Sequence, residues 1–288
     1  MCYFNSMTQS ILSCPSVVEY ILKVKDLNGS NLILQILGRM ITDKNKMNNN
    51  LSANIEYNLS LFNEFLRQLK QKSPSLNFGF NQEDSGEMFI ILLDLLNDNY
   101  INNIFQHTYK CNIFCLDCRK TKDIIEDTGF YFTVDFNELK NNSLSSKFDP
   151  QNLNELNKFI RNNFSIFSQM KCESCSSFNI IKTNRLVIAP TVIMIVFNKY
   201  KEKINYSYPS DMSFINKLES SRIDKHQYRI VSSIHHNGNM NFGHYYSKCL
   251  RKSGVYNLND TSITESNLSP ESNSYIVLYH YVDTVEVF

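Results

Sequence analysis

The amino-acid sequence carries almost no net charge, since 29 basic and 28 acidic residues leave a formal charge of +1. Proteins that bind nucleic-acid phosphates usually have a clear basic excess, so nucleic acid is not an expected partner. The sequence also lacks an apolar run of 18 or more residues, and its start lacks the basic and apolar regions of a secretory signal. We therefore expect a soluble intracellular protein, in the cytoplasm, the nucleus or both, with no membrane partner.

Hydrophobic residues make up 42% of the 288 residues and aromatic residues 12%, which is enough for a sizeable core. Apolar residues recur at helical spacing in 2–12, 59–69 and 85–96, and Pro15 is expected to stop the first of these helices. A stretch rich in Asn and Lys, about 43–56, is typical of a surface loop. The first part of the chain is thus predicted to be mainly helical.

From about residue 110 onward the apolar period changes to two, which predicts β-strands. A polar insert at 137–152 interrupts this region, and a short amphipathic helix is expected from Leu153 to Ile160. The second half is therefore predicted to be mainly sheet. The strand candidates are residues 124–136, 186–197, 228–236, 243–250 and 274–282.

Two C-x-x-C units stand out among the eight cysteines: Cys115 with Cys118, and Cys172 with Cys175. In a reducing compartment such cysteines indicate metal binding or catalysis before disulfides. Each unit places two thiolates on one tight turn, and two such turns complete a tetrahedral zinc site. Redox motifs or plain buried thiols are the alternatives, and Cys111 is an alternative ligand. We predict a structural Zn²⁺ whose four thiolates leave no position for substrate or water.

Three separated segments supply the parts of a thiol peptidase. Cys2 lies at a predicted helix start, where the helix dipole and a nearby imidazole favour the nucleophilic thiolate. His244 is the candidate general base. Asn259 or Asp260 is the candidate acceptor for the other imidazole nitrogen, which fixes the tautomer and the orientation of the ring. Cys14 and Cys249 have no partner at metal-ligand spacing and are interpreted as buried structural thiols.

The order of these segments resembles the ubiquitin-specific protease family of deubiquitinases, and the resemblance runs nearly from end to end. The two C-x-x-C units fall where members of that family carry zinc-bearing fingers. The other matching segments are CYFNSMTQ (2–9), QEDSGEMFIILLDLL (82–96), IAPTVIMIVFNKY (188–200), HHNGNMNFGHYYSKCL (235–250), VYNLND (255–260) and SYIVLYHY (274–281).

The resemblance implies an α+β, papain-like cysteine peptidase fold, with a helical thumb, zinc-ribbon fingers and a β-rich palm. It implies one catalytic domain over residues 1–288, divided into a thumb at 1–108, fingers at 109–185 and a palm at 186–288. We expect a monomer that binds ubiquitin or ubiquitinated proteins.

By the same resemblance the activity is cleavage of the peptide or isopeptide bond after the C-terminal glycine of ubiquitin. Cys2 is then the nucleophile, His244 the base and Asn259 the orienting residue, with Asp260 able to assist. The resemblance also places Gln82, Asp84 and Glu87 on a helix beside the active site. A capped, solvated helix start is the alternative interpretation of those three residues.

The sequence departs from the family pattern just before Cys2, where family members carry an Asn that helps to form the oxyanion hole. The printed sequence begins one residue before Cys2 and does not include that segment, so either the natural start lies upstream or turnover is impaired. A catalytically impaired ubiquitin-binding pseudoenzyme, acting as an interaction module, is therefore the first alternative. A zinc-ribbon nucleic-acid binder is the second, and the near-neutral charge and the triad segments argue against it.

Overall fold

The polypeptide begins as a series of helices and continues as two β-sheets. The computed structural model describes residues 2–27, 31–42, 51–72, 74, 84–135, 165–168, 171–198, 207–217, 223–239 and 242–287. No helix among these residues combines the length and the apolar character needed to cross a membrane. The helices are α1 (Cys2–Ile11), α2 (Pro15–Val24), α3 (Leu32–Thr42), α4 (Leu51–Lys72), α5 (Ser85–Leu96) and α6 (Asn99–Phe105).

The helical boundaries follow from local signals in the sequence. The predicted helices at 2–12 and 85–96 are confirmed as α1 and α5, and the helix predicted at 59–69 is part of the longer α4. Pro15 occupies the first position of α2, where its missing N–H group has no consequence for the helix. The surface loop predicted at 43–56 is wrong in its last part, since α4 begins at Leu51. Residues 43–50 lie outside the described segments.

The strands form a four-stranded sheet and an eight-stranded sheet. The smaller sheet has the order β2-β1-β5-β4. The larger one has the order β11-β10-β9-β8-β12-β6-β3, with β7 paired to β8. The strands are β1 (His107–Cys115), β2 (Thr121–Gly129), β3 (Phe132–Asp135), β4 (Ser165–Ser168), β5 (Ile180–Ile188), β6 (Val192–Asn198), β7 (Asp211–Lys217), β8 (Ile223–Gly238), β9 (Gly243–Arg251), β10 (Gly254–Asn259), β11 (Ser262–Glu265) and β12 (Ser274–Val287).

Two of the predicted strands are each split between the two sheets. The candidate at 124–136 contains the end of β2 and all of β3, and the candidate at 186–197 contains the end of β5 and most of β6. In the second case Pro190 lies between the strands, where it does not interrupt a hydrogen-bonded ladder. The insert at 137–152 and the helix predicted at 153–160 fall outside the described residues. The subregion boundaries stay a prediction, although β3 pairs with β6 of the larger sheet.

The central strands of the larger sheet are buried on both faces. On β6, Val192, Met194 and Val196 pack with the helices, whereas Ile193, Ile195 and Phe197 belong to a second core on the opposite face. A strand covered on both sides is expected to be a continuous apolar run, as VIMIVF is. The sheet therefore divides the interior into two cores, and α1 lies in the one that contains the helices.

Thr8 on α1 leaves a hydroxyl without a hydrogen-bond partner among the described residues. It borders an apolar cavity of about 20 Å³, whose other lining residues include Ile11, Leu37, Phe65 and Leu93. A water molecule there would lack the two or more polar partners that buried waters usually have. Burial of this hydroxyl without a partner therefore lowers the free energy of unfolding.

Replacing Thr8 by valine, which has nearly the same shape, is expected to raise the free energy of unfolding by about 1 kcal/mol. Urea unfolding monitored by circular dichroism measures the change. Thr8→Ser is the matched control, because it keeps the hydroxyl, removes a methyl group and should lower the stability. A less stable Thr8→Val variant would show that the hydroxyl does find a partner in solution.

Candidate active site and metal-binding cluster

The His244 imidazole is held by the hairpin that joins β10 to β11. Its Nε2 atom lies 2.6 Å from the side-chain oxygen of Asn259 and 3.8 Å from a carboxylate oxygen of Asp260. An amide oxygen can only accept, so Nε2 carries the proton in this arrangement and donates to Asn259. The opposite nitrogen, Nδ1, is then the basic one. This is the orientation that a general base needs.

The turn after β10 brings both candidate orienting residues to the same ring. Asn259 pairs with Ser262 across a two-residue turn, and Asp260 takes the left-handed backbone conformation with φ of 50°. Aspartate tolerates this conformation better than most residues. The structure thus brings together three of the four residues that the sequence predicts as catalytic, and Asn259 is the nearer of the two acceptors.

Two glycines frame the loop that precedes His244. Gly238 has φ of 145°, in the region where side chains are strained, and a Cβ atom there would lie 2.2 Å from the carbonyl oxygen of Phe242. A Cβ on Gly243 would lie 2.2 Å from Nε2 of His236. Both positions therefore require glycine if His244 is to keep its place at the start of β9.

Helix α1, which begins with Cys2, packs against β8 and β9. Near its C-terminal end the Ser10 carbonyl accepts a 3.4 Å hydrogen bond from Ser232 on β8, and Arg251 at the end of β9 donates to the Gln9 carbonyl at 3.1 Å. Cys2 itself is partly buried. In the part of the chain that the structure describes, no hydrogen bond joins the Cys2 thiol to His244, so that pairing stays a prediction.

The other two cysteines of this region are buried thiols, as predicted. Cys14 and Cys249 are both inaccessible to solvent. Burial, followed by the nearby Cys249, raises the pKa of the Cys14 thiol far above its usual range. A thiol that stays protonated and covered cannot attack a substrate, so Cys14 is a poor rival to Cys2.

The residues at the start of α5 make side-chain contacts that their sequence motif does not reveal. Asp84 caps the helix by accepting from the backbone N–H groups of Gly86 and Glu87 at 2.7 and 3.1 Å, which agrees with the capped-helix interpretation. Its second carboxylate oxygen accepts from the hydroxyl of Tyr275 on β12. Ser85 donates to a carbonyl of α1, a contact that sequence spacing alone did not suggest. Gln82 lies outside the described residues.

The four cysteines of the C-x-x-C units form one cluster, in which all four sulfur atoms lie within 4.8 Å of one another. The sulfurs of Cys115 and Cys175 are 3.5 Å apart, and those of Cys118 and Cys172 are 3.6 Å apart. Sulfurs at about 2.3 Å from a tetrahedral zinc lie about 3.8 Å from one another. Disulfide-bonded sulfurs would be only about 2.05 Å apart. The cluster therefore has the spacing that a metal ion needs, and its cysteines are not joined as disulfides; Cys111 is not part of it.

The two halves of the cluster repeat the same backbone turn. The N–H of the first cysteine in each unit donates to the carbonyl five residues later, from Cys115 to Lys120 and from Cys172 to Ser177. In each unit the residue after the second cysteine is left-handed, with φ of 57° and 58°. Backbone N–H groups of Ser174 and then Cys175 donate to the Cys172 sulfur and lower its pKa to about 6. The second turn thus favours a thiolate at Cys172, the form that a metal requires.

Asp117, inside the first unit, links it to the second. Its carboxylate accepts from the hydroxyl of Ser177 and, at 3.2 Å, from the side-chain amide of Asn179. The Ser177 hydrogen bond, followed by that from Asn179, lowers the pKa of this carboxyl group. The two turns are therefore joined by side chains as well as by the sulfur cluster.

The described helices and sheets form the mixed helix and sheet architecture that the sequence predicts. The family model for ubiquitin carboxyl-terminal hydrolases matches residues 1–279, and the chain belongs to that family. A curated relative, "Probable ubiquitin carboxyl-terminal hydrolase 8" of Schizosaccharomyces pombe, is 26% identical over 224 residues, which are 70% of this chain. The chain spans 46% of the length of that relative.

Solved structures establish the shared fold. The SAGA DUB module of Ubp8, Sgf11, Sus1 and Sgf73 bound to ubiquitin aldehyde matches with a TM-score of 0.72 at 15% identity, over 99% of this chain and 68% of the matched one. The same module with a Ubp8 variant, bound to monoubiquitin, matches with a TM-score of 0.73 at 14% identity, over 99% and 67%. At such low identity the likeness speaks for the fold alone.

Proposed function

We propose that this chain is a cysteine-type deubiquitinating peptidase that hydrolyses the peptide or isopeptide bond after the C-terminal glycine of ubiquitin. The observation that carries the proposal is the His244–Asn259 contact of 2.6 Å, on the strand that packs against α1, in a chain of this family. Ubiquitin as the substrate is supported by the family and by the ubiquitin complexes named for the structural neighbours.

Cys2, His244 and Asn259 have separate roles in the proposed reaction. Nδ1 of His244 takes the proton of the Cys2 thiol, and the resulting thiolate attacks the glycine carbonyl to form a tetrahedral intermediate. His244 gives its proton to the departing lysine amine, which leaves a thioester between Cys2 and ubiquitin. The same imidazole then takes a proton from water, which attacks the thioester and releases ubiquitin with a free carboxylate. Asn259 holds the ring so that Nδ1 faces the reacting atoms throughout.

The cluster of four cysteines is proposed to bind a structural Zn²⁺. Four thiolates complete a tetrahedral coordination sphere, so the ion would supply stability and take no part in hydrolysis. Cys115 and Cys118 would hold it from the turn after β1, and Cys172 and Cys175 from the turn before β5. The ion would therefore tie together two segments that are distant in sequence.

A ubiquitin carrying a thiol-reactive group at its C-terminus tests the proposed nucleophile directly. The parent chain is expected to form a covalent adduct, Cys2→Ala to form none, and Cys14→Ala to react like the parent because Cys14 is covered. Intact-mass spectrometry measures the adduct, and peptide mapping locates it. Labelling that persists in Cys2→Ala and disappears in Cys14→Ala would mean that the nucleophile is misassigned.

The distances at His244 predict unequal roles for its two neighbours. Asn259→Ala is expected to lower kcat by about 10- to 100-fold, because the ring loses the acceptor that fixes its tautomer. Asp260→Ala should cause a smaller loss, since its carboxylate is 3.8 Å away. Steady-state hydrolysis of a fluorogenic ubiquitin C-terminal amide gives both values. The reverse order would transfer the orienting role to Asp260.

A further inference from the structure

The start of α5 is fixed rigidly against the larger sheet. Asp84 accepts from the Tyr275 hydroxyl on β12, and the Asp84 side chain is held in place by further bonds, since its carboxylate also caps α5. A Cβ on Gly86 would be in ordinary van der Waals contact with Val196 at 3.8 Å and with Ile276 at 3.9 Å. This end of α5 therefore lies next to β6 and β12.

The same end of α5 holds the first turn of α1. The Ser85 hydroxyl, which is fully buried, donates a 3.1 Å hydrogen bond to the backbone carbonyl of Tyr3. Tyr3 directly follows Cys2. The hydroxyl of Ser6 donates to the same carbonyl at 3.0 Å, but from within α1. The Ser85 bond therefore connects the turn that carries Cys2 to α5, whereas the Ser6 bond stays within α1.

This connection reaches the neighbourhood of His244. The ring of Tyr275 lies 6.1 Å from the ring of Tyr245, the residue after His244. Contacts thus run from Tyr3 through Ser85 and Asp84 to Tyr275, and from there to the strand that carries the base. Through these contacts the first turn of α1 and the start of β9 are both connected to the start of α5.

From this geometry we infer that Ser85 is a positioning residue, which holds the first turn of α1, and with it the Cys2 thiol, at the correct distance from His244. The inference rests on the proposed function, because it assigns Ser85 a role in that reaction. A displacement of about 1 Å in a reacting group can cost about 100-fold in rate. A lost contact far from the substrate can therefore act mainly on kcat.

The variants Ser85→Ala and Ser6→Ala form a matched pair, since each removes one buried hydroxyl from the same carbonyl. Both are expected to lower the urea midpoint by a similar amount. Ser85→Ala is expected to lower kcat on the fluorogenic ubiquitin amide by about 10- to 100-fold with little change in KM. Ser6→Ala should keep kcat close to the parent value, and Ser85→Thr, which retains a hydroxyl, should recover most of the loss.

Hydrogen exchange followed by mass spectrometry separates this inference from the proposed function, because it needs no activity. Peptides covering α1 are expected to exchange faster in Ser85→Ala than in Ser6→Ala, with peptides covering α6 unchanged. Equal kcat and equal exchange in the two alanine variants would overturn the positioning role. The third outcome combines faster α1 exchange in Ser85→Ala with a parent chain that neither cleaves ubiquitin nor reacts with it. That outcome would overturn the proposed function and keep the structural link between Ser85 and α1.

Discussion

Replacing His244 by alanine is expected to lower kcat on a ubiquitin C-terminal amide by about 10⁴-fold, the order seen when a member of a catalytic triad is removed. In the proposed mechanism the imidazole serves both halves of the reaction, first as the acid for the leaving amine and then as the base for water. Its loss therefore slows acylation and hydrolysis of the thioester together. His226→Ala is a suitable control, because it removes an imidazole from the end of β8 that pairs with β7.

The double variant Cys2→Ala/His244→Ala makes this prediction more demanding. Residues that act as one unit are strongly non-additive, so the double variant should be hardly slower than either single variant. Steady-state rates of the double variant and of the two single variants on the same substrate give the comparison. Independent, multiplying losses would mean that Cys2 and His244 do not belong to the same catalytic unit. Retention of much of the activity in His244→Ala would remove that residue from the mechanism.

Removal of the proposed zinc ion from the cysteine cluster is expected to unfold the smaller sheet. Among the described residues its buried apolar core is only Cys111, Ile113 and Ile180, with Cys172 packed against them. Zinc binding to four-ligand peptides provides about 10–16 kcal/mol, which is as large as the whole free energy of unfolding of a typical domain.

A strong chelator should therefore lower the Tm by more than about 10 °C and reduce the strand signal in circular dichroism. Elemental analysis should find one zinc per chain, and Cys172→Ser should lose it. Cys111→Ala is the control, because Cys111 lies in the same core and outside the cluster. A chain that contains no metal and whose Tm is insensitive to chelators would refute the structural zinc.

Local patterns in the sequence predicted the elements and the chemistry better than the connections between them. The apolar spacing of 85–96 gave α5 with its observed bounds, because it depends on residues close in sequence. Each C-x-x-C unit is equally local, and the need of zinc for four ligands predicted that the two distant units would meet. The split of 124–136 into β2 and β3 was missed, since two strands separated by only two residues keep the alternation of one.

The contacts that organise the candidate site were also beyond local analysis. The bond between Ser85 and Tyr3 joins residues 82 positions apart, and that between Tyr275 and Asp84 joins residues 191 positions apart. A serine at the start of an apolar helix looks like an ordinary first-turn residue, and a tyrosine in a strand looks like core. Only the packing of α1, α5 and the larger sheet gives these hydroxyls their partners.

The docking of α1 on β9 has a consequence for how the proposed activity would arise during folding. Gln9 and Arg251 are 242 positions apart, so the surface between this helix and this strand closes a loop that contains most of the polypeptide. Contacts of such high sequence separation form late and slowly during folding. Partly folded intermediates that lack this contact would not hydrolyse the substrate, whatever local structure they contain. The return of turnover after dilution from denaturant would therefore report the rate at which the long-range contact between α1 and β9 forms.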